Sequence, residues 1–91
     1  MNPEFEESWA SLGTLQRKMN NFEESARSYT KATELKPNRP EILYNLASAY
    51  LDLGKLGMAK IYFEKVIELK SKYADAHSSL GTVYLRMNQP I

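Results

Sequence analysis

Residues spaced as on one face of an amphipathic helix recur along this chain, and the pattern itself repeats. Positions i, i+3, i+4 and i+7 define such a face three times, at Trp9, Leu12, Gly13 and Gln16, at Leu43, Leu46, Ala47 and Tyr50, and at His77, Leu80, Gly81 and Tyr84. A second stripe follows the first two faces, at Phe22, Ser25, Tyr29 and Ala32, and at Leu56, Ala59, Phe63 and Val66. No segment alternates with period two, so the pattern predicts helices and no sheet.

The chain contains an internal repeat. The tetrapeptide Ser-Leu-Gly-Thr occurs at 11–14 and again at 79–82. Half of that offset places Glu34-Leu35-Lys36 on Glu68-Leu69-Lys70. The repeat is therefore about 34 residues long, which is enough for one pair of helices, so sequential helical hairpins organise the chain.

Residues that start and stop helices mark five predicted helices, at about 3–18, 22–36, 40–53, 56–71 and 74–87. Asn2 is expected to cap a helix that Pro3 opens, and Asn21 is expected to cap the second helix. Pro40 opens the third helix and Gly54 closes it.

The repeat resembles the tetratricopeptide repeat, a helical hairpin of about 34 residues with a signature of Trp, Leu, Gly, Tyr, Ala, Phe, Ala and Pro at set offsets. The first repeat, 6–39, matches at Trp9, Leu12, Gly13, Tyr29, Ala32 and Pro37, and the second, 40–73, at Leu46, Ala47, Tyr50, Gly54, Ala59 and Phe63. The half repeat 74–91 matches at Leu80, Gly81 and Tyr84. The departures are Gln16, Ser25, Leu43, Val66 and Ser71. The resemblance implies an all-α, right-handed superhelix of five helices whose first helices line a concave face.

Composition and charge narrow the class of function. A chain of 91 residues and 10.5 kDa fits a single domain, 1–91, with one thin core. Twelve Lys and Arg against eleven Asp and Glu leave a net charge of +1, which provides no general attraction to nucleic acid or anionic lipid. The chain has no cysteine, no signal-peptide pattern and no apolar stretch of ~20 residues. We therefore expect no nucleic-acid or membrane partner, and a cytoplasmic location.

No pattern in the chain indicates catalysis, a cofactor or a metal. His77 is the only histidine and aligns with Trp9, so we expect it to pack against the next helical layer. Gly54 and Gly57 flank a turn between helices and do not form a phosphate-binding loop. The sequence therefore predicts a protein that is not an enzyme by itself.

In proteins with this repeat, residues of the first helices that lie off the signature stripe form the concave groove. The resemblance assigns this groove to Ala10, Thr14, Arg17, Lys18, Tyr44, Asn45, Ser48, Leu51, Ser78, Ser79, Thr82 and Arg86. This set is shallow, rich in Ser and Thr, and has Tyr44 as its one aromatic anchor, so a peptide is expected to bind with micromolar affinity or more weakly. The basic clamp that holds chaperone C-terminal tails consists of Lys, Asn, Asn, Lys and Arg. The corresponding residues here are Ala10, Thr14, Asn45, Asp75 and Ser79. Only Asn45 matches the clamp, so such a tail is not expected to bind.

Charged residues lie at the helix ends in the order that the helix dipole favours. Solvated helix ends are one interpretation. The other is that stacked repeats form an acidic rim of Glu7, Glu41 and Asp75 and a basic rim of Lys18 and Arg86, which would orient an extended peptide.

The half repeat leaves an apolar face on the fifth helix, whereas a terminal helix normally has a polar outer face. The candidates for self-association on it are Leu80, Val83, Tyr84 and Leu85. Three interpretations stay open. The chain is a fragment of a longer array, or the face meets a second copy by dimerisation or helix exchange, or its exposure is tolerated.

The sequence favours a non-enzymatic scaffold for protein–protein interaction, which binds a peptide or a subunit in its groove or associates with itself through the half repeat. The alternative is a regulatory or substrate-presenting segment of a larger enzyme such as a glycosyltransferase, because arrays of this repeat occur attached to such enzymes.

Overall fold

The computed structural model describes residues 5–88. These residues form five helices and no strand: α1 (Glu6–Lys18), α2 (Phe22–Leu35), α3 (Pro40–Asp52), α4 (Leu56–Leu69) and α5 (Ala74–Met87). The predicted all-helical fold is confirmed, and α2, α3 and α4 each end one or two residues before the predicted position. The predicted start of the first helix, with its cap at Asn2 and with Pro3, lies outside the described residues.

The turns inside the two hairpins have the same hydrogen-bonded form. After α1, Asn20 has a left-handed backbone (φ 64°), and the Asn21 N–H donates to the Gln16 carbonyl at 2.8 Å. One repeat later Gly54 has φ 77°, and the Lys55 N–H makes the equivalent bond at 2.9 Å. These bonds satisfy carbonyls at the helix end, and Asn and Gly are the residues that best tolerate this conformation. Asn21 is the N-cap residue of α2, as predicted, but its side chain makes no capping hydrogen bond.

The helices of the first hairpin approach each other closely at Gly13. This glycine lies against the ring of Tyr29, and a Cβ built on it would be 2.9 Å from the ring carbons Cδ1 and Cε1. Its carbonyl accepts a hydrogen bond from Ser25 Oγ at 2.7 Å. In the second hairpin Ala47 stands in the place of Gly13 and is buried in a cluster with Phe63. A small residue at this position therefore sets how closely the paired helices pack.

Helix α3 takes part in two neighbouring core clusters, which join the hairpins into one body. The first cluster packs α2 on α3, through Ala26, Tyr29, Ala32, Ile42, Leu46 and Ala49. The second packs α3, α4 and α5 together, through Leu43, Ala47, Ala59, Phe63, Val66, Ala76 and Val83. Since each cluster involves only adjacent helices, the molecule is elongated, with extents of 44 × 28 × 17 Å.

Helix α5 differs in two respects from the expectation. Val83 is fully buried in the second cluster, and Leu80 packs against that cluster, so Val83 is not available for self-association. His77 is exposed, and its Nε2 donates to the Ser71 carbonyl at 2.7 Å. Within residues 5–88 no helix follows α5, so His77 packs against no further layer in the described structure. No helix within residues 5–88 is long and apolar enough to cross a membrane.

Candidate functional site

A cavity of about 450 Å³ opens between α1 and α3, on the side where the sequence predicts the groove. Its lining includes four of the predicted groove residues, Thr14, Arg17, Lys18 and Asn45. The prediction did not include its other lining residues, Phe22, Tyr29 and Asp52. We refer to this cavity as the first-helix groove.

An ion pair crosses the first-helix groove. Arg17 Nε donates to Asp52 Oδ2 at 2.6 Å, and the side chains are 39% and 27% exposed. Asp52 occupies the repeat position that holds Lys18 in the first repeat and Arg86 in the half repeat. The predicted basic rim is therefore interrupted by a carboxylate that neutralises Arg17. The signal that reveals Asp52 is present in the sequence, since it lies one repeat length from each of the two cations.

The wall of the groove is a hydrogen-bonded pair of side chains. Thr14 Oγ1 donates to the Ala10 carbonyl at 3.1 Å and lies 2.7 Å from the Tyr29 hydroxyl. Because the threonine proton is already used, the tyrosine hydroxyl donates to Thr14. Tyr29 belongs to α2 and is 1% exposed, so its buried hydroxyl is satisfied from α1. The wall is thus held in place by the fold itself.

Farther along the first helices, Tyr44 lies in an aromatic cluster. Its ring stacks on Tyr73 with centroids 5.4 Å apart and meets the edge of Phe63 at 5.6 Å. Its hydroxyl lies 3.5 Å from Ser79 Oγ. Tyr44 is half-buried, so only part of its ring is open to a ligand at the groove.

Charged side chains lie around Tyr73, next to Tyr44 and outside the cavity. Burial raises the pKa of the Tyr73 hydroxyl above its ordinary value, and the negative charges of Glu41 and Asp75 raise it further. Both carboxylates belong to the predicted acidic rim and are exposed. Lys70 Nζ lies 5.6 Å from the centroid of the Tyr73 ring, so an ammonium accompanies the two carboxylates. These groups leave one negative charge in excess, which suits a positively charged group on a ligand.

One predicted groove residue does not line an open surface. Ser48 is 4% exposed, and its Oγ donates to the Tyr44 carbonyl at 2.9 Å within α3. The serine therefore turns back onto its own helix, and its place in the groove is corrected. Ser78, Thr82 and Arg86 are exposed on α5, while Ala10, Leu51 and Ser79 are half-buried.

Metal-binding chemistry receives no support from the described part of the chain. Residues 5–88 contain no group of three or more His, Cys, Asp or Glu side chains that could hold an ion. The polar groups that line the groove are hydroxyls, an amide, an ammonium, a guanidinium and one carboxylate, which bind ligands by hydrogen bonds and charge.

Comparisons with known proteins identify the family. A family model described as TPR repeat matches residues 13–54, and one described as tetratricopeptide repeat matches residues 40–73. The chain belongs to the tetratricopeptide repeat family. The predicted recognition is thus confirmed, and membership implies a scaffold for protein interactions.

Relatives of this chain are much longer proteins. Human protein O-mannosyl-transferase TMTC3 is 35% identical over 74 residues, which is 80% of this chain and 8% of the transferase. Human superkiller complex protein 3 is 30% identical over 79 residues, which is 87% of this chain and 5% of that protein. The chain therefore spans less than a tenth of the length of either relative.

Solved structures show the same fold. Two crystal structures of MamA superpose on this chain with TM-scores of 0.90 and 0.88, each at 28% sequence identity. The superpositions cover 94% and 93% of this chain and 50% and 46% of the MamA chains. The arrangement of five helices is therefore shared with about half of MamA.

Proposed function

We propose that this chain holds an extended peptide of a partner protein in the first-helix groove. The observation that carries the proposal is the open cavity of about 450 Å³ lined by Thr14, Arg17, Lys18 and Asn45. Its volume is in the range of known ligand sites. The asparagine amide can donate to and accept from a peptide backbone, as in other polar recognition surfaces.

The charges of the groove give the peptide a direction. Arg17 is held by Asp52, whereas Lys18 makes no ion pair within residues 5–88. An acidic side chain of the peptide is therefore expected beside Lys18. Beyond the cavity, toward Tyr73, a basic side chain of the peptide is expected near Glu41 and Asp75.

Binding of selected peptides tests this proposal. Linear peptides would be selected on the chain by phage display and their affinities measured by fluorescence anisotropy. Lys18→Glu should weaken binding about tenfold, and Asn45→Ala about threefold, because each removes one polar contact. Lys65→Glu on α4 has the same charge change outside the cavity and serves as the control. Affinities that none of these variants changes would contradict the proposal.

A second proposal is self-association through α5. A Cβ added to Gly81 would have no atom within 4 Å, whereas one added to Gly13 would meet the ring of Tyr29. The side chains of Tyr84 and Leu85 on the same helix are 42% and 69% exposed. Light scattering from micromolar to millimolar concentration should then show a dimer, and Leu85→Glu should return it to a monomer. A wild-type monomer at every concentration would exclude this mode of association.

A third proposal follows from the similarity to a transferase, namely that the chain is a regulatory or substrate-presenting segment of a larger enzyme. The supporting observation is the 35% identity with human protein O-mannosyl-transferase TMTC3 over 74 residues. The test is the mass of the native protein, isolated from the cells that make it. A mass well above 10.5 kDa, with a catalytic domain identified by peptide sequencing, would support the proposal, and a mass of 10.5 kDa would contradict it.

A further inference from the structure

A second cavity, of about 540 Å³, lies along α2 and shares no lining residue with the first-helix groove. Its apolar lining comes from Trp9, Ala26, Tyr50 and Leu53. Ala26 belongs to the core cluster between α2 and α3, and the other three side chains pack against that cluster while staying partly exposed. We refer to this cavity as the α2 groove. Its apolar floor is anchored in the core, so a ligand can use it without a rearrangement of the fold.

The α2 groove is open because the first repeat lacks two side chains that cover the same place in the second repeat. There, Lys60 Nζ lies 5.8 Å from the centroid of the Tyr84 ring, and the Tyr84 hydroxyl donates to Glu64 at 3.1 Å. The corresponding residues one repeat earlier are Ala26, Tyr50 and Thr30. Alanine and threonine are too short to form this cover, so the space beside Tyr50 stays empty. All three of these residues line the α2 groove.

The charged residues around the α2 groove leave an excess of positive charge. Its rim contains Arg27, Lys31 and Lys55 together with Glu23 and Glu34. Lys31 and Glu34 pair with each other at 3.9 Å. Arg27 and Lys55 make no ion pair within residues 5–88, and only one carboxylate, that of Glu23, remains to balance them. An anionic partner therefore complements this rim.

We propose that the α2 groove binds a segment of a partner protein in which one aromatic side chain is flanked by acidic residues. The aromatic side chain lies on the floor, beside Tyr50 and Leu53, in the space that Lys60 and Glu64 cover in the second repeat. The flanking carboxylates pair with Arg27 and Lys55. Aromatic anchors in apolar pockets, surrounded by charged contacts, are the usual source of affinity and selectivity at protein interfaces. The surface is separate from the first-helix groove, so two partners can be held at once.

Trp9 provides the measurement, because it is the only tryptophan of the chain and lines the α2 groove. The probe is the capped peptide Glu-Glu-Phe-Glu-Glu, and its comparison peptides are Glu-Glu-Ala-Glu-Glu and Lys-Lys-Phe-Lys-Lys. We expect a saturable change of Trp9 emission with the probe and at least about tenfold weaker binding of both comparison peptides. Added salt should weaken binding of the probe. Equal binding of all three peptides, or no saturable change with the probe, overturns the proposal.

Two variants test the location of the site. Ala26→Lys combined with Thr30→Glu gives the first repeat the two side chains that lie beside Tyr84 in the second. This variant should abolish the change of Trp9 emission with the probe, while its helical circular dichroism stays unchanged. Arg27→Glu combined with Lys55→Glu changes only exposed residues and should weaken binding about tenfold. If the first variant does not fold, the affinity of the second variant for the probe tests whether the α2 groove is the binding site.

Controls separate this surface from the other proposed ones. Lys65→Glu combined with Lys72→Glu makes the same total change of charge outside both cavities, and Lys18→Glu lies in the first-helix groove. Both control variants should leave the affinity for the probe unchanged. If either lost as much affinity as the Arg27 and Lys55 variant does, the loss would be due to net charge and not to the α2 groove. A change in solution mass on alteration of Arg27 and Lys55 would show that a second copy occupies the groove, which also overturns the proposal.

Discussion

Replacing Gly13 by alanine should destabilise the protein, although alanine is the better helix former. The added Cβ would lie 2.9 Å from two ring carbons of Tyr29, well inside the ~3.5–4.0 Å at which carbon atoms pack. The ring cannot swing away easily, because Tyr29 is 1% exposed and its hydroxyl bonds to Thr14 at 2.7 Å. Either the ring or helix α1 must therefore move.

Two opposing contributions set the size of the effect. Extra volume in a well-packed core typically costs about 1–3 kcal/mol. Alanine in place of glycine inside a helix returns about 1 kcal/mol. The free energy of unfolding of Gly13→Ala should therefore fall by about 0–2 kcal/mol, with the packing cost as the larger contribution.

The matched control is Gly81→Ala, at the equivalent position of α5. An added Cβ there meets no atom within 4 Å, so only the helix-forming contribution remains and the variant should gain about 1 kcal/mol. The two variants should thus differ by about 1–3 kcal/mol, and this difference isolates the cost of the contact with Tyr29. Urea unfolding at low protein concentration, followed by circular dichroism, measures it. Each kcal/mol corresponds to about 4–8 °C in melting temperature for a domain of this size.

If Gly13→Ala proved as stable as Gly81→Ala, the contact with Tyr29 would cost nothing and the predicted steric cost would be wrong. A second check is the background variant Tyr29→Leu, which removes the ring. In that background the cost of Gly13→Ala should decrease, and the double-mutant cycle gives the coupling between the two residues directly. Independent, additive effects would place the strain elsewhere.

Three further predictions concern the hydrogen bonds and charges of the same structure. Tyr29→Phe should lower the free energy of unfolding by about 1 kcal/mol, because Thr14 loses its donor, and urea unfolding checks this. A double-mutant cycle on Arg17 and Asp52 should give a coupling of less than about 1 kcal/mol that decreases with added salt, since both side chains are partly exposed. Burial raises the pKa of Tyr62 above its ordinary value of 10.0, so above that pH the unfolded chain loses its proton first and stability falls. Tyr62→Phe should reduce this fall when unfolding is measured across a series of alkaline pH values.

The order of residues along the chain is enough to predict the helices and their repetition. Helical spacing and the repeat offset are properties of the chain order, so all five helices could be predicted before any packing was known. Local chemistry also placed the ends, as with Pro40 at the start of α3 and Gly54 in the turn after it. Even Asp52, absent from the predicted groove, is visible as the second-repeat counterpart of Lys18.

The tertiary structure alone decided which side chains are available. Ser48 and Val83 fit a surface pattern, yet Ser48 is buried in the folded chain and Val83 enters the core of three helices. The α2 groove likewise results from what is missing beside Tyr50, and a missing cover becomes evident only when the neighbouring helices are in place. The physical reason is that helical periodicity arises from one segment at a time, whereas burial and cavities depend on the side chains that other segments bring.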